Sequence, residues 1–125
     1  MGILNALMGN SSEVASEKIA HEFQPILIEG EVIVKSFKLI RDMFVFTNKR
    51  LILVDKQGIT GSKTDFMTIP YHSINYFTKR SASLLDLDAE ILIWIKGTSE
   101  PIQKEFRKGE NINDVYKTLS TYVLG

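Results

Sequence analysis

The residues with chemical potential are few and scattered. His21 and His72 are the two histidines, and neither has a His-Glu or His-x-x-x-His neighbour. A metal site or a Ser-His-Asp triad would have to be assembled wholly by the fold. The chain has no cysteine, which removes disulfides, thiolate metal ligands and a cysteine nucleophile. Gly58-Ile59-Thr60-Gly61-Ser62-Lys63-Thr64 contains the ingredients of a phosphate loop. Two residues lie between its glycines, however, and Ser62 intervenes before the lysine, so the spacing is wrong. Strand-forming residues follow where a helix should begin. A glycine-rich hairpin loop is the better reading. Asp86, Asp88 and Glu90 alternate and would share one face of a strand, but a calcium loop needs more oxygens and a turn glycine. They read as a solvated strand entrance. Tyr71, Tyr76 and Phe77 beside Lys79 and Arg80 have the aromatic and basic mix that binds single-stranded nucleic acid. Core packing explains the aromatics equally, and a formal net charge of zero argues against a nucleic-acid partner. No catalytic residue, metal or cofactor is expected.

The zero net charge hides an asymmetry. Residues 1–34 carry one Lys and five Glu, residues 35–80 nine basic and three acidic groups, and residues 81–125 five basic and seven acidic groups. The balances are −4, +6 and −2. The middle third is where an anionic partner would bind, with Lys49, Arg50, Lys63, Lys79 and Arg80 as the candidate patch. The competing reading is that strands alternate a solvated basic face with a buried one.

At 125 residues with 44% hydrophobic and 24% charged side chains, the chain suits one globular domain with its own core. No apolar run approaches the roughly 18 residues that span a bilayer. The N-terminal stretch Ile3, Leu4, Ala6, Leu7, Met8 has no basic residue before it, which makes a poor signal peptide. Ala6 also breaks the myristoylation pattern after Gly2. A cytoplasmic location is expected.

Ala15, Ile19 and Phe23 recur every four residues, and Pro25 follows. This spacing predicts a first helix near 11–22, capped by Asn10 or Ser11 with Glu13 in its first turn. From Glu31 to Arg107 the chain is rich in Val, Ile, Phe, Tyr and Thr and is broken by turn signals. Seven strands are expected: Glu31–Ile40, Met43–Thr47, Arg50–Lys56, Thr64–Tyr71, Ile74–Lys79, Ala89–Lys96 and Ile102–Arg107. Arg41-Asp42 and Asn48-Lys49 are tight turns. Gln57–Lys63 is a loop, Pro70–Ser73 a break, Ser81–Asp88 a connection and Gly97–Pro101 a turn. Ile112, Val115, Tyr116, Leu119, Tyr122 and Val123 then form one helical face, opposite Asn113, Lys117, Thr118 and Thr121. Asn111 or Asn113 can cap this helix, with Asp114 near its positive end. An amphipathic helix has one packing surface, so it should lie across the open end of the sheet.

Phe46-Thr47-Asn48-Lys49-Arg50-Leu51-Ile52-Leu53-Val54-Asp55-Lys56-Gln57-Gly58 resembles the signature of bacterial pleckstrin-homology domains. Phe66-Met67-Thr68-Ile69-Pro70-Tyr71-His72-Ser73-Ile74 and Phe106-Arg107-Lys108-Gly109 are similar to later parts of that family's pattern. The resemblance covers about residues 25–124. It implies a mainly β, pleckstrin-homology-like fold: a seven-stranded, bent antiparallel sheet or partly open barrel, capped by the C-terminal amphipathic helix and preceded by a short N-terminal one. Residues 1–24 would be a tail and helix, and 25–125 the domain proper. The resemblance further implies strand-mediated assembly in some members and no enzymatic activity. It supplies no ligand. In eukaryotic relatives, lipid headgroups are held by a long basic loop between the first two strands. Here that connection is Arg41-Asp42, too short to form a cup.

Met43-Phe44-Val45-Phe46, Leu51-Ile52-Leu53-Val54 and Ile91-Leu92-Ile93-Trp94-Ile95 are apolar on both sides, whereas a sheet with one wet face should alternate. Either the N-terminal helix covers the second face or another subunit does. Phe44, Phe46, Ile52, Val54, Leu92 and Trp94 are therefore the candidate oligomer interface. Trp94 is its anchor unless it is ordinary core. The expected function is a non-enzymatic binding or scaffold domain that self-associates and offers a surface or sheet edge to a protein or peptide. The alternative is peripheral association with an anionic membrane through residues 35–80.

Overall fold

A computed structural model describes residues 13–14, 16–39, 42–57, 63–81, 88–107 and 111–125. Among these the chain divides into two compact units, Met1–Ile69 and Pro70–Gly125.

The first unit is built on one sheet. Strand β1 (Glu13–Val14) is followed by helix α1 (Ser16–Phe23), then β2 (Ile33–Lys38), β3 (Asp42–Thr47), β4 (Arg50–Gln57) and β5 (Lys63–Pro70). The strands lie in the order β1-β2-β3-β4-β5. Residues directly opposite each other share a face, and the register sorts the apolar residues cleanly. Phe44 lies opposite Leu53, and Phe46 opposite Leu51. Met43 lies opposite Val54, and Val45 opposite Ile52. The second set meets α1: Ile19, Phe23, Val45, Ile52 and Val54 form one buried cluster, with Leu27, Ile33 and Met43 packed against it. The first set carries Phe37, Phe44, Phe46, Leu51 and Leu53, all at most 2% exposed. Phe37 meets Phe46 edge-on at 6.1 Å, and Phe44 stacks on Phe46 at 6.3 Å. Both faces of β3 and β4 are thus buried in the single chain.

The second unit opens with a 3-10 turn, Tyr71–Ser73, where Ser73 Oγ donates to the Pro70 carbonyl at 2.7 Å. It continues through β6 (Ile74–Ser81), β7 (Asp88–Ile95), β8 (Ile102–Arg107) and helix α2 (Ile112–Leu124). The three strands form an antiparallel meander in the order β6-β7-β8. The helix buries Ile112, Val115, Thr118 and Leu119. Phe77 meets Tyr116 edge-on at 5.5 Å, and Tyr71 stacks on Tyr122 at 4.9 Å. The opposite face of this sheet presents Tyr76 stacked on Trp94 at 4.6 Å.

The mainly β reading, the two helices and the seven long strands agree with the sequence expectations, with three local differences. Glu13 lies in a strand and not in the first turn of a helix, because residues 13–14 pair with Phe37 and Ser36 of β2. The proposed caps Asn10 and Ser11 lie outside the described residues, as do Ala15, Arg41, the loop 58–62 and the connection 82–87. Asp42 opens β3 by pairing with Asp55 and is not part of a turn. Thr118 is only 8% exposed and not on the wet face, since its hydroxyl donates to the Asp114 carbonyl of its own helix at 2.8 Å.

Truncating Ile52, which is fully buried under α1, should test this layering. Ile52→Ala is expected to lower unfolding stability by about 2–5 kcal/mol, read as a lower urea midpoint with an unchanged slope.

Candidate functional site

A dense polar construction among the described residues surrounds Glu31, whose side chain has no exposure to solvent. Its carboxylate accepts four hydrogen bonds. Oε1 takes the Ile28 N–H at 3.0 Å and Arg50 Nη2 at 3.0 Å. Oε2 takes Arg50 Nε at 2.8 Å and the Thr47 hydroxyl at 2.7 Å. Arg50 also donates from Nη1 to Thr68 Oγ1 at 2.8 Å and from Nη2 to the Ile26 carbonyl at 2.7 Å. The guanidinium therefore joins β4 to β5 and to the segment that leaves α1. Its rigid fork suits the carboxylate in two-point contact, as a lysine would not.

The β3–β4 hairpin is organised by the same group. Thr47 Oγ1 accepts the N–H groups of Lys49 at 3.0 Å and Arg50 at 2.9 Å, so it closes the turn while facing Glu31. Asn48 reaches the other way. Its Oδ1 accepts the Val32 N–H at 2.8 Å, and its Nδ2 donates to the Gly30 carbonyl at 3.0 Å. Gly30 has φ 79°, which a side chain would oppose, and this lets the connector double back onto the hairpin. Thr47-Asn48-Lys49-Arg50 is thus a structural clamp, and three of its four side chains or backbones hold residues 26–32.

Burial pushes the Glu31 carboxyl upward. The hydrogen bonds from Arg50, Thr47 and the Ile28 amide, together with the Arg50 charge, outweigh burial and hold it down at about 2.

Of the proposed anionic-ligand patch, Lys49, Arg50 and Lys63 lie in the first unit and Lys79 and Arg80 in the second. Arg50 turns inward to Glu31. Arg80 Nη1 pairs with Glu90 Oε1 at 3.1 Å, and Glu90 Oε2 accepts Gln103 Nε2. Lys79 Nζ donates to Asn113 Oδ1 at 2.6 Å. Lys49 and Lys63 are exposed. Of the proposed oligomer interface, Phe44, Phe46, Ile52, Val54 and Leu92 are at most 5% exposed within the single chain. The chain's own fold covers them, which withdraws them from any intermolecular contact. Trp94 is half-buried against Tyr76, which is 53% exposed.

Sequence reasoning missed Glu31, Thr68, Phe66, Met67 and Ser36. A lone glutamate ahead of a strand carries no signal, because its partner lies 19 positions away. Phe66 and Met67 belong to the stretch that resembles the family pattern, and they are 52% and 47% exposed. Phe66 meets Phe23 edge-on at 5.7 Å. No group of three or more metal-binding side chains occurs among the described residues, and no helix there is long and apolar enough to cross a membrane.

A model of the bacterial PH domain matches residues 2–123. The chain belongs to the bacterial PH domain family. It is 48% identical to a pleckstrin homology domain from Shewanella amazonensis, whose crystal structure superposes with a TM-score of 0.88 over 99% of this chain and 100% of that one. A DUF1696 family protein with a pleckstrin-homology domain from Shewanella loihica is 42% identical, with a TM-score of 0.78 over 90% and 96% of the two chains. The uncharacterized protein YjqA of Bacillus subtilis is 50% identical over 96% of this chain and 97% of its own length. The pleckstrin-homology-like fold is therefore established, and in this bacterial PH domain the hairpin signature acts as a clamp.

The clamp has a pH signature. A depressed carboxyl contributes stability that is fully present above its ordinary value of 4.5 and is lost as pH falls through about 2. By linkage that contribution is on the order of 3 kcal/mol. Wild type should exceed Glu31→Gln in urea stability by a constant margin above pH 4.5, and the margin should close as pH falls toward 2. A margin independent of pH would show that the carboxylate charge is immaterial.

Proposed function

We propose that this bacterial PH domain is a non-enzymatic binding module that self-associates and pairs a sheet edge with an extended segment of a protein partner. The observation that supports this reading is β5. It terminates the strand order of the first sheet, and six consecutive residues, Lys63 to Thr68, are exposed along it. Phe66 and Met67 sit side by side in that run, so one projects from each face of the strand. Edge strands are ordinarily protected by charge, bulges or brevity. Here Lys63 and Pro70 stand at the ends, and the middle of the strand presents apolar side chains. An incoming strand would gain main-chain hydrogen bonds from the edge and apolar contact on both faces. On this reading self-association uses a strand edge and not the apolar faces of β3, β4 and β7.

Peripheral membrane attachment is the competing reading, and it rests on Lys49 and Lys63 after the other three cations are accounted for. A cytoplasmic location belongs to the proposal.

Light scattering at low and high salt is the test. The wild type should give a defined oligomer that persists at high salt. Met67→Lys and Phe66→Lys should shift it toward monomer with unchanged circular dichroism. A monomeric wild type, or lysine variants that assemble as before, would overturn the β5 assignment. Binding to anionic vesicles that salt abolishes would favour the membrane reading.

A further inference from the structure

The second sheet has two faces of different character, and directly opposite residues share a face. Phe77 and Ile93 lie opposite each other, and Phe77 meets Tyr116 of α2, so theirs is the face that the helix covers. Tyr76 and Trp94 lie opposite each other on the other face. Their rings are 4.6 Å apart and within 20° of parallel. Alternation along β7 carries this second face to Glu90, which lies opposite Arg80 on β6 and Glu105 on β8.

The aromatic pair is a plate with unused donors. Tyr76 is 53% exposed, and Trp94 is half-buried against it. Among the described residues neither the phenol hydroxyl nor the indole N–H has a hydrogen-bond partner. The indole can only donate, so it calls for an acceptor. The charges beyond the plate do not balance. Arg80 pairs with Glu90, which also accepts Gln103. Glu105 is exposed and has no ion pair among the described residues.

These features select among occupants. Strand β7 is the centre of its sheet, so an added strand finds no main-chain groups to pair with beside Trp94. A docked helix needs apolar anchors over several turns, and here a single aromatic pair gives way to a row of charges. An anionic surface would meet the surplus carboxylate. A polyproline II segment fits all of these terms. Its carbonyls make no internal hydrogen bonds, so they are open to the indole and phenol donors. Its pyrrolidine rings pack on aromatic ones, and little order has to be imposed on a chain that is already extended.

We propose that this face docks a proline-rich segment of a partner protein in the polyproline II form, with a proline on the Tyr76–Trp94 plate and a lysine or arginine at Glu105. The strand sets the spacing. Trp94 and Glu90 are four residues apart on β7, about 13 Å at the rise of a strand, and Glu105 is level with Glu90. A polyproline II chain rises about 3.1 Å per residue and covers that distance in about four residues. The segment therefore carries its basic residue about four positions from the stacked proline. The site is separate from the β5 edge and does not depend on whether that edge assembles.

Trp94 is the single tryptophan of the chain, so its emission reports on the plate directly. Titration with a synthetic oligoproline peptide that carries one arginine at this spacing should change the emission and saturate. A peptide with alanine in place of every proline should leave it unchanged. Fluorescence anisotropy of the labelled oligoproline peptide then reads the variants. Tyr76→Ala should weaken binding about tenfold or more. Glu105→Gln should weaken the arginine peptide about threefold and leave an arginine-free oligoproline unaffected. Both positions are exposed, and an unchanged urea midpoint checks that each variant is folded. Met67→Lys should bind the peptide as the wild type does, which keeps this site distinguishable from the β5 edge. No saturable change, equal binding of the alanine peptide, or a folded Tyr76→Ala that binds as before would overturn the proposal. A Trp94 response to anionic vesicles or to a soluble oligosaccharide, with none to oligoproline, would overturn it in favour of those occupants. An effect of Glu105→Gln that is the same with and without the arginine would overturn the placement of the basic residue.

Discussion

The first unit depends on how a carboxylate is kept charged away from water. Glu31 has a side chain with no solvent exposure, and burying a charge is tolerable only when it is paired and hydrogen-bonded throughout. Four donors meet that demand. They come from a connector amide, a hairpin hydroxyl and an arginine at the start of β4. Because the donors come from the connector and from both sides of the β3–β4 turn, satisfying one carboxylate fixes the exit of α1, the approach to β2 and the turn between β3 and β4. Arg50 extends the constraint to β5 through Thr68. Remove either partner and the other is left with an unmet charge, so the pair acts as a specification of geometry more than as a source of net stability.

That constraint explains the unequal edges of the sheet. Everything from Ile26 through the β3–β4 hairpin is tied by directional bonds. Before it, among the described residues, Glu13 and Val14 pair with β2, and α1 buries Ile19 and Phe23. What lies after it, β5, is anchored at Thr68 but carries its neighbours Phe66 and Met67 into solvent. The clamped hairpin and the apolar residues of the β5 edge are what support the proposal that this bacterial PH domain is a binding and assembly module. In the second unit the polar pairs are more exposed. Arg80, Glu90 and Gln103 form a row across β6, β7 and β8, and such exposed pairs contribute little.

The interface expectation failed for an instructive reason. Two-sided apolar strands do need two covers, and the residues in question were correctly singled out as requiring one. The sequence offered two covers, helix or subunit, and the fold uses α1 for the face with Val45, Ile52 and Val54. The basic residues show a different point. Five cations close in sequence looked like one surface, but a side chain's partner is set by register and connection. Arg50 meets Glu31 from 19 residues away, and Lys79 meets Asn113 from 34 residues away.

What the sequence determined by itself was local and periodic. The 3.6-residue repeat of Ile112, Val115 and Leu119 marks α2 and its buried face. The β-branched and aromatic runs between turn residues mark seven strands, with Ile102–Arg107 placed at both ends and Arg50 and Met43 within a residue of their true starts. The hairpin signature carried the family. Only tertiary structure decided which charges face inward, which apolar faces are covered, and which edges stay open. Those outcomes depend on contacts between residues far apart in the chain, and periodicity reports a residue's face without reporting what lies across from it.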